Sequence, residues 1–241
     1  MKYSTNLGHD VNGAFNEEIK AKKTAALIQV MSAFFVRNIS SILVVGCGSG
    51  REAGMLARAF KANVTGIDLG NDFEFDHQGS APAKLLLMDA RHLKFPSSSF
   101  DMVFSFHTLE HISEPQRALD EMARVLRPGG VYLVGTPNKS RLLGGFSSPL
   151  PFRKIIVGNV HDLFMRLTGR WSNEAGAHAG FTVAELENYC ATTFGNATDI
   201  SDLYYRRMYN RRDTAISAIA KARLKHVVFP GVYVAGTKSE V

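Results

Sequence analysis

A glycine-rich turn directly after a short apolar run constrains this chain more than any other feature. The run Ile42–Val45 is rich in β-branched residues, which is typical of a strand buried in a parallel sheet. Glycines follow at Gly46, Gly48 and Gly50, and Arg51 begins a segment with helical spacing of its apolar residues. Glycine lets the backbone adopt conformations that other residues avoid and approach a bound group closely. The sequence therefore predicts a strand, a tight turn and a helix.

The alternation of strand and helix patterns continues along the chain. Further strands are predicted over 64–67, 84–87, 102–105 and 131–134, with helices over 51–62, 114–126 and 183–191. Two more strands, over 199–205 and 232–237, are predicted to complete the sheet as an edge hairpin. Such alternation gives a mainly parallel sheet with right-handed crossovers. The predicted fold class is α/β, and ligands of these sheets bind at the carboxyl ends of the strands.

One domain is predicted over 1–241, since 241 residues with 45% hydrophobic content can bury one substantial core. Amphipathic helices are expected at about 15–37, and an insertion over the active site at about 139–177.

The N-terminus lacks a signal-peptide pattern, and no apolar stretch approaches the roughly 20 residues that span a bilayer. The two cysteines, Cys47 and Cys190, suggest neither a disulfide framework nor a zinc site. A cytoplasmic location is expected.

Two acidic residues follow strands and give the glycine turn a more specific meaning. Asp68 ends the second strand 22 positions after Gly46, where a carboxylate can accept hydrogen bonds from both hydroxyls of a ribose. The carboxylate of Asp89 and the backbone amide of Ala90, after the third strand, can pair with the edge of an adenine ring. A dinucleotide-binding turn needs a third glycine where this chain has Arg51. The spacing therefore favours an adenosyl group without a pyrophosphate.

Six segments in this order resemble the class I S-adenosylmethionine-dependent methyltransferases. They are Val44–Gly50, Gly66–Leu69, Met88–Ala90, Phe95-Pro96 with Ser99–Val103, Leu109–Ile112 and Val125–Gly130. The branch that they resemble includes ubiquinone-biosynthesis, sugar and natural-product methyltransferases. The resemblance implies a Rossmann-like three-layer sandwich with a seven-stranded, mostly parallel sheet and an antiparallel last strand. It also implies S-adenosyl-L-methionine as the cofactor.

The resemblance implies roles for individual positions. The turn residues Gly46, Cys47, Gly48 and Gly50 are expected to hold the methionine part of the cofactor. The ribose is assigned to Asp68, the adenine face to Leu69, the adenine edge to Asp89 and Ala90, and the surroundings of the sulfonium to Phe106 and His107. Arg51 is a candidate for steering the methionine carboxylate.

Methyl transfer from a sulfonium is an in-line displacement, so the protein mainly has to position the acceptor and remove its proton. His107 and His111 follow the fourth strand and are the candidate general bases, because histidine accepts a proton near neutral pH. No metal is required by this chemistry. Three alternatives stay open: His161 or His178 is the base, or the substrate supplies the deprotonation. His111 can instead brace the turn through Glu110.

The sequence after the fourth strand limits the class of acceptor. Enzymes that methylate exocyclic amines of DNA or glutamine carry Asn/Asp-Pro-Pro-Tyr/Phe there, whereas this chain has Ser105–Thr108. A Pro-Cys nucleophile for cytosine C5 is missing as well. The favoured acceptor is a small molecule, most simply through a hydroxyl oxygen of a sugar, a phenol or a quinone or lipid precursor.

The net charge of +6 lies entirely in residues 137–241, which hold 14 Lys+Arg and 8 Asp+Glu. This asymmetry is compatible with an anionic substrate, a membrane or a nucleic acid.

Within 152–171, apolar residues at spacings of three or four predict a basic amphipathic helix. It can roof a pocket for a lipid-like acceptor, lie on an anionic membrane, or pack on the sheet. A basic cluster, Arg206, Arg207, Arg211 and Arg212, is a candidate for phosphate, nucleotide-sugar or RNA. RNA is disfavoured without a recognisable RNA-binding module.

Three other functions stay open on the sequence. They are a non-catalytic S-adenosylmethionine-binding protein, an RNA methyltransferase that uses the basic C-terminal part, and an NAD-dependent reductase. The reductase is the most remote, because the chain lacks both the dinucleotide spacing and a Tyr-x-x-x-Lys proton relay. The oligomeric state is left open.

Overall fold

The computed structural model describes residues 7–35, 38–70, 73, 83–142, 152–174, 179–209, 213–222 and 224–240. Its strands are β1 (Ser41–Val45), β2 (Asn63–Asp68), β3 (Ala83–Leu87), β4 (Phe100–Phe106), β5 (Leu126–Pro137), β6 (Thr198–Asp199) and β7 (Gly231–Thr237). Its helices are α1 (Leu7–Phe34), α2 (Arg51–Phe60), α3 (Pro115–Val125), α4 (Phe152–Leu167), α5 (Val183–Phe194), α6 (Ser201–Met208), α7 (Asp213–Lys221) and α8 (Lys225–Val228). A 3-10 turn covers Leu109–His111.

The strands form one seven-stranded sheet in the order β3-β2-β1-β4-β5-β7-β6. Strands β1 to β5 pair in parallel, whereas β7 pairs antiparallel with both β5 and β6. The predicted fold, a mostly parallel sheet with an antiparallel last strand, is confirmed. Since β1 to β4 are parallel, their carboxyl ends meet at one edge of the sheet.

Two apolar clusters lie on the two faces of the sheet, because side chains alternate along each strand. In β1, Ile42 and Val44 contribute to the cluster that includes residues of α1, α2, α6 and α7. Leu43 and Val45 contribute to the cluster that includes residues of α3 and α5. The arrangement is a three-layer α/β/α sandwich, with the sheet buried between two helical layers.

The composition of Arg127–Gly130 is typical of a turn, but the segment lies within strand β5. Phe100 of β4 pairs with Leu126, and Met102 pairs with Val131, so the register shifts between these pairs. The extra residues form a bulge, in which Gly129 has a φ of 68°. The composition thus indicates the local bend correctly, but it does not reveal that the bend lies inside a continuous strand.

The predicted strand over 199–205 is wrong beyond its first residue. The strand β6 ends at Asp199, and α6 begins at Ser201, whose backbone N–H donates to the Asp199 carboxylate at 2.9 Å. The buried residues of α6 recur at spacings of three and four, which is a helical period. The β-propensity of adjacent Tyr204 and Tyr205 conceals this period in the sequence.

One long helix, α1, covers residues 15–34 of the helical region that the sequence predicts at about 15–37. The predicted insertion contains α4, while 143–151 and 175–178 lie outside the described residues. Whether 139–177 is an insertion over the active site stays a prediction. Among the described helices, none is long and apolar enough to cross a membrane.

Candidate active site

A cavity of about 450 Å³ opens at the carboxyl edge of the sheet, where loops after four neighbouring strands meet. Its walls include Gly46 and Gly48 after β1, Asp68 and Leu69 at the end of β2, Asp89, Ala90 and Arg91 after β3, and His107, Thr108 and His111 after β4. A smaller cavity of about 150 Å³ shares Gly46 and Gly48 with it. The glycine turn therefore separates two adjacent spaces.

The glycine turn has a backbone that only glycine adopts without strain. Gly46, Gly48 and Gly50 all have positive φ angles, of 73°, 49° and 89°. A Cβ on Gly46 would lie 1.9 Å from Oγ1 of Thr108, whereas a Cβ on Gly48 would meet no atom within 4 Å. Gly46 is thus required by packing, and Gly48 leaves open space beside the cavities. Gly50 caps the start of α2 without a side-chain hydrogen bond.

Asp68 connects the ends of β1 and β2 through its carboxylate. Its Oδ2 accepts from the backbone N–H of Gly48 at 2.8 Å, and its Oδ1 accepts from that of Gly70 at 3.0 Å. An ionised carboxylate offers about four acceptor positions, so two hydroxyl donors can still be accommodated. Beside it, Leu69 is 74% exposed although it is apolar. Both features suit the sugar and the ring of a nucleoside.

The carboxylate of Asp89 is held by Arg91, which is not among the site residues predicted from the sequence. Arg91 donates from Nε to both oxygens of Asp89, at 3.0 and 3.1 Å, and from Nη2 to Oδ2 at 2.7 Å. These hydrogen bonds lower the pKa of Asp89 to about 2. Arg91 also donates to Ser113 and Glu114, which precede α3. The guanidinium therefore ties the β3 loop to the chain before α3 and fixes the Asp89 carboxylate.

The two candidate histidines lie on either side of a buried carboxylate. Glu110, whose side chain is only 2% exposed, accepts from Nδ1 of His107 at 3.3 Å, and its Oε1 lies 4.0 Å from Nε2 of His111. With Nδ1 as the donor, Nε2 of His107 is the acceptor nitrogen of a neutral ring. His107 has a φ of 53°, a strained conformation for a non-glycine residue. Such strain is common at functional sites.

The smaller cavity brings opposite charges together near the glycine turn. Lys20 from α1, Arg51 and Glu52 from α2, and Phe106 from the end of β4 line it. Cys47 lines it too, and burial raises the pKa of its thiol to about 12, so the thiol stays protonated. A group that carries both a carboxylate and an ammonium, as methionine does, finds cations and an anion here.

The predicted site residues mostly come together. Those lining the larger cavity are Gly46, Gly48, Asp68, Leu69, Asp89, Ala90, His107 and His111, and those lining the smaller one are Gly46, Cys47, Gly48, Arg51 and Phe106. His161 lies on α4 and lines neither cavity, while His178 is outside the described residues. The roles of these residues in binding and catalysis stay predictions.

Three residues of the site, Arg91, Glu110 and Lys20, are not among the binding and catalytic residues predicted from the sequence. Arg91 stands two positions after Asp89, which is a visible signal for a local ion pair. The spacing of three between His107 and Glu110 is a second signal, because a tight turn brings such side chains together. Lys20 gives no signal, since α1 reaches the glycine turn only through packing in the folded chain.

Comparison with known proteins shows which family the central part of this chain resembles. Residues 43–134 match the methyltransferase domain family. A probable S-adenosylmethionine-dependent methyltransferase of Mycolicibacterium smegmatis is 31% identical over 154 residues, which cover 61% of this chain and 58% of the relative. A fatty-acid O-methyltransferase of the same bacterium is 40% identical over 96 residues, covering 38% of this chain and 35% of the relative. This chain thus spans less than two thirds of the length of either relative.

The solved structures agree on the fold. The plantazolicin methyltransferase BpumL, in complex with S-adenosylhomocysteine, has a TM-score of 0.60 at 14% identity, over 93% of this chain and 84% of that chain. Residues 43–134 therefore carry a methyltransferase domain, and the relatives that match it include a probable S-adenosylmethionine-dependent methyltransferase. The resemblance read from the sequence is confirmed at the level of the family, and so is S-adenosyl-L-methionine as the cofactor of that family.

Proposed function

We propose that this protein transfers the methyl group of S-adenosylmethionine to a hydroxyl oxygen of a small molecule, such as a phenol, a sugar derivative or a quinone or lipid precursor. The position of His107 carries this proposal. Its ring lines the larger cavity, and Glu110 accepts a hydrogen bond from its Nδ1. A hydroxyl must lose a proton as it is methylated, and a histidine fixed by a carboxylate suits this task.

The two cavities fit the methyl donor, which supplies a methyl group activated by a sulfonium. We assign the ribose to Asp68, which the loop amides hold in place, and the adenine ring to Leu69 with Asp89 and Ala90. Lys20 and Arg51, with Glu52, are assigned to the charged end of the methionine part. The support for this assignment is the match of charges and apolar surface along the two cavities.

The catalytic step assigned to this chain is a proton transfer. Nε2 of His107 accepts the proton of the acceptor hydroxyl, and Glu110 keeps the opposite nitrogen protonated and the ring fixed. Glu110 is a positioning residue, since it contacts the histidines and is itself buried. His111, which also lines the larger cavity and is more exposed, is the second candidate for the base.

An apolar acceptor is favoured by two observations. Ile112, which follows His111 in the chain, lines the larger cavity on the side of the two histidines. One relative is a fatty-acid O-methyltransferase, although the likeness covers only 38% of this chain.

We also propose a cytoplasmic location, which agrees with the free, buried state of both cysteines, Cys47 and Cys190.

Calorimetry tests the binding part of the proposal. S-adenosylhomocysteine is expected to bind the protein, and NAD is expected not to. Replacing Asp68 by Asn should weaken the binding of S-adenosylhomocysteine, because the carboxylate loses charge-assisted hydrogen bonds of about 1.5–3 kcal/mol each. Binding of NAD instead would support the reductase. Lack of binding to either ligand would contradict the assignment of both cavities.

A transfer assay with labelled methyl donor tests the catalytic part, with phenols, hydroquinones, fatty acids and RNA as acceptors. The variant His107→Gln should lose about 10²- to 10⁴-fold in kcat while keeping its affinity for S-adenosylhomocysteine. His161→Gln is the matched control, because His161 has an exposed side chain outside both cavities. An unchanged rate of His107→Gln over the whole pH range would exclude His107 as the base. Labelling of RNA alone would favour the RNA methyltransferase, and cofactor binding without any transfer would favour a binding protein.

A further inference from the structure

Helix α4 presents its apolar side to solvent. Six of its side chains are between 47% and 79% exposed: Ile156, Val157, Val160, Leu163, Phe164 and Leu167. At 3.6 residues per turn these positions fall within an arc of about 120°, and we call them the α4 stripe. The helix of a globular protein normally turns such an arc toward the core. A contiguous exposed apolar surface of this kind marks an interaction site.

The other side of α4 is anchored by polar contacts, which fix the direction of the stripe. Arg166 donates from Nη1 to the backbone oxygen of Lys139 at 2.9 Å and from Nη2 to that of Arg141. Its guanidinium lies 4.4 Å from the centre of the Trp171 ring. Asp162 pairs with Arg141 at 3.1 Å. Trp171, which follows α4, therefore lies on the anchored side.

The charges on the segment that carries the stripe, 152–171, are mainly positive. Asp162 is the only acidic residue within 152–171, and its partner Arg141 neutralises it. Arg153 is exposed and falls on the same arc as the stripe at its first turn, and Arg170 is exposed just past its last turn. An apolar strip with a cation at each end complements a bilayer surface with anionic head groups. Two copies packed stripe to stripe would instead bring arginines together.

We propose that the α4 stripe docks this protein on anionic lipid bilayers. The apolar side chains lie at the boundary between head groups and acyl chains, and Arg153 and Arg170 contact lipid phosphates. This inference goes beyond the proposed methyl transfer and does not depend on it, because the docking surface contains none of the residues assigned to the two cavities.

Flotation with vesicles tests the docking. The probes are vesicles of phosphatidylcholine alone and vesicles with about a third phosphatidylglycerol, at low salt and at about 0.5 M salt. The double variant Val160→Asp/Leu163→Asp disrupts the stripe. The matched control, Ala59→Asp/Ser97→Asp, adds the same charge at exposed positions where α2 ends and before β4 begins, at the opposite edge of the sheet. The variant Arg153→Gln/Arg170→Gln tests the cations.

The wild type and the matched control are expected to float with the anionic vesicles. The stripe variant should stay unbound, and the arginine variant should lose roughly fivefold in affinity for each charge removed. Absence of flotation by the wild type, or flotation of the stripe variant equal to that of the control, would overturn the proposal. Light scattering without vesicles gives a further check. A dimer that the stripe variant converts to a monomer would identify the stripe as an interface between copies and refute lipid docking.

Discussion

The two glycines shared by the cavities should respond very differently to the same substitution. In Gly46→Ala, the new Cβ would lie 1.9 to 2.6 Å from three atoms of the Thr108 side chain. The positive φ costs about 1–2 kcal/mol for a residue with a Cβ. Overpacking adds about 1–3 kcal/mol. We therefore expect Gly46→Ala to lower the free energy of unfolding by about 2–5 kcal/mol.

Gly48→Ala carries only the conformational cost of about 1–2 kcal/mol, because no atom lies within 4 Å of the position that its Cβ would take. Its effect should appear instead in the affinity for S-adenosylhomocysteine, since the added methyl group occupies space beside both cavities. Urea unfolding and calorimetry on the same samples separate the two effects.

A double variant tests whether Thr108 causes the larger cost at Gly46. Thr108→Gly removes all three contacting atoms, so Gly46→Ala/Thr108→Gly should recover the packing part, about 1–3 kcal/mol, relative to the sum of the single variants. The hydrogen bonds from Thr108 Oγ1 to the backbone oxygens of Val45 and Phe106 are lost in both variants that lack its side chain. Equal stability of Gly46→Ala and Gly48→Ala, or strict additivity in the double variant, would refute this account of the turn.

Three further predictions follow from the ion pairs of the site and the sheet. The lowered pKa of Asp89 adds stability that is complete above about pH 4 and is lost as the pH falls toward 2, so Arg91→Gln should flatten the fall in urea midpoint over that range. Burial opposes the ionisation of Asp101, but hydrogen bonds from Ser40 and Ser41 outweigh it and lower its pKa. Asp101→Asn should therefore cost about 1.5–3 kcal/mol at neutral pH, measured by urea unfolding, and less below about pH 4. Glu110→Gln should lower kcat less than His107→Gln does, with unchanged affinity for S-adenosylhomocysteine, in the labelled-methyl assay.

The strand ends could be predicted from the sequence because local signals mark them. A buried apolar run followed by glycine or aspartate specifies both the strand and the edge at which it ends, as at Gly46, Asp68 and Asp89. Parallel pairing then brings these residues together without any further information. The antiparallel last strand is not marked by such local signals, and its prediction follows from the family motifs.

Other features depend on contacts between distant segments, which local patterns do not record. Lys20 reaches the glycine turn because α1 packs across α2 and α6, and nothing in its neighbourhood indicates this. The helical period of α6 is present in the sequence, but the β-propensity of its tyrosines suggests a strand. The amphipathic pattern of α4 is visible, whereas its direction is not. That direction follows from the contacts of Arg166 and Asp162 with the chain after β5.

The anchoring of α4 relates the docking surface to the cavities. β5 ends at Pro137, next in the sheet to β4, whose end precedes His107. The side chain of Asn138 is fully buried and donates to the backbone oxygens of His226 and Phe229 at 2.8 and 2.7 Å, which holds the chain after β5 in place. Lys139 then accepts from both Arg166 and Trp171. Because α4 is fixed to the edge at which the larger cavity opens, docking through its stripe brings that edge close to the bilayer. An acceptor dissolved in lipid would then have a short path to His107.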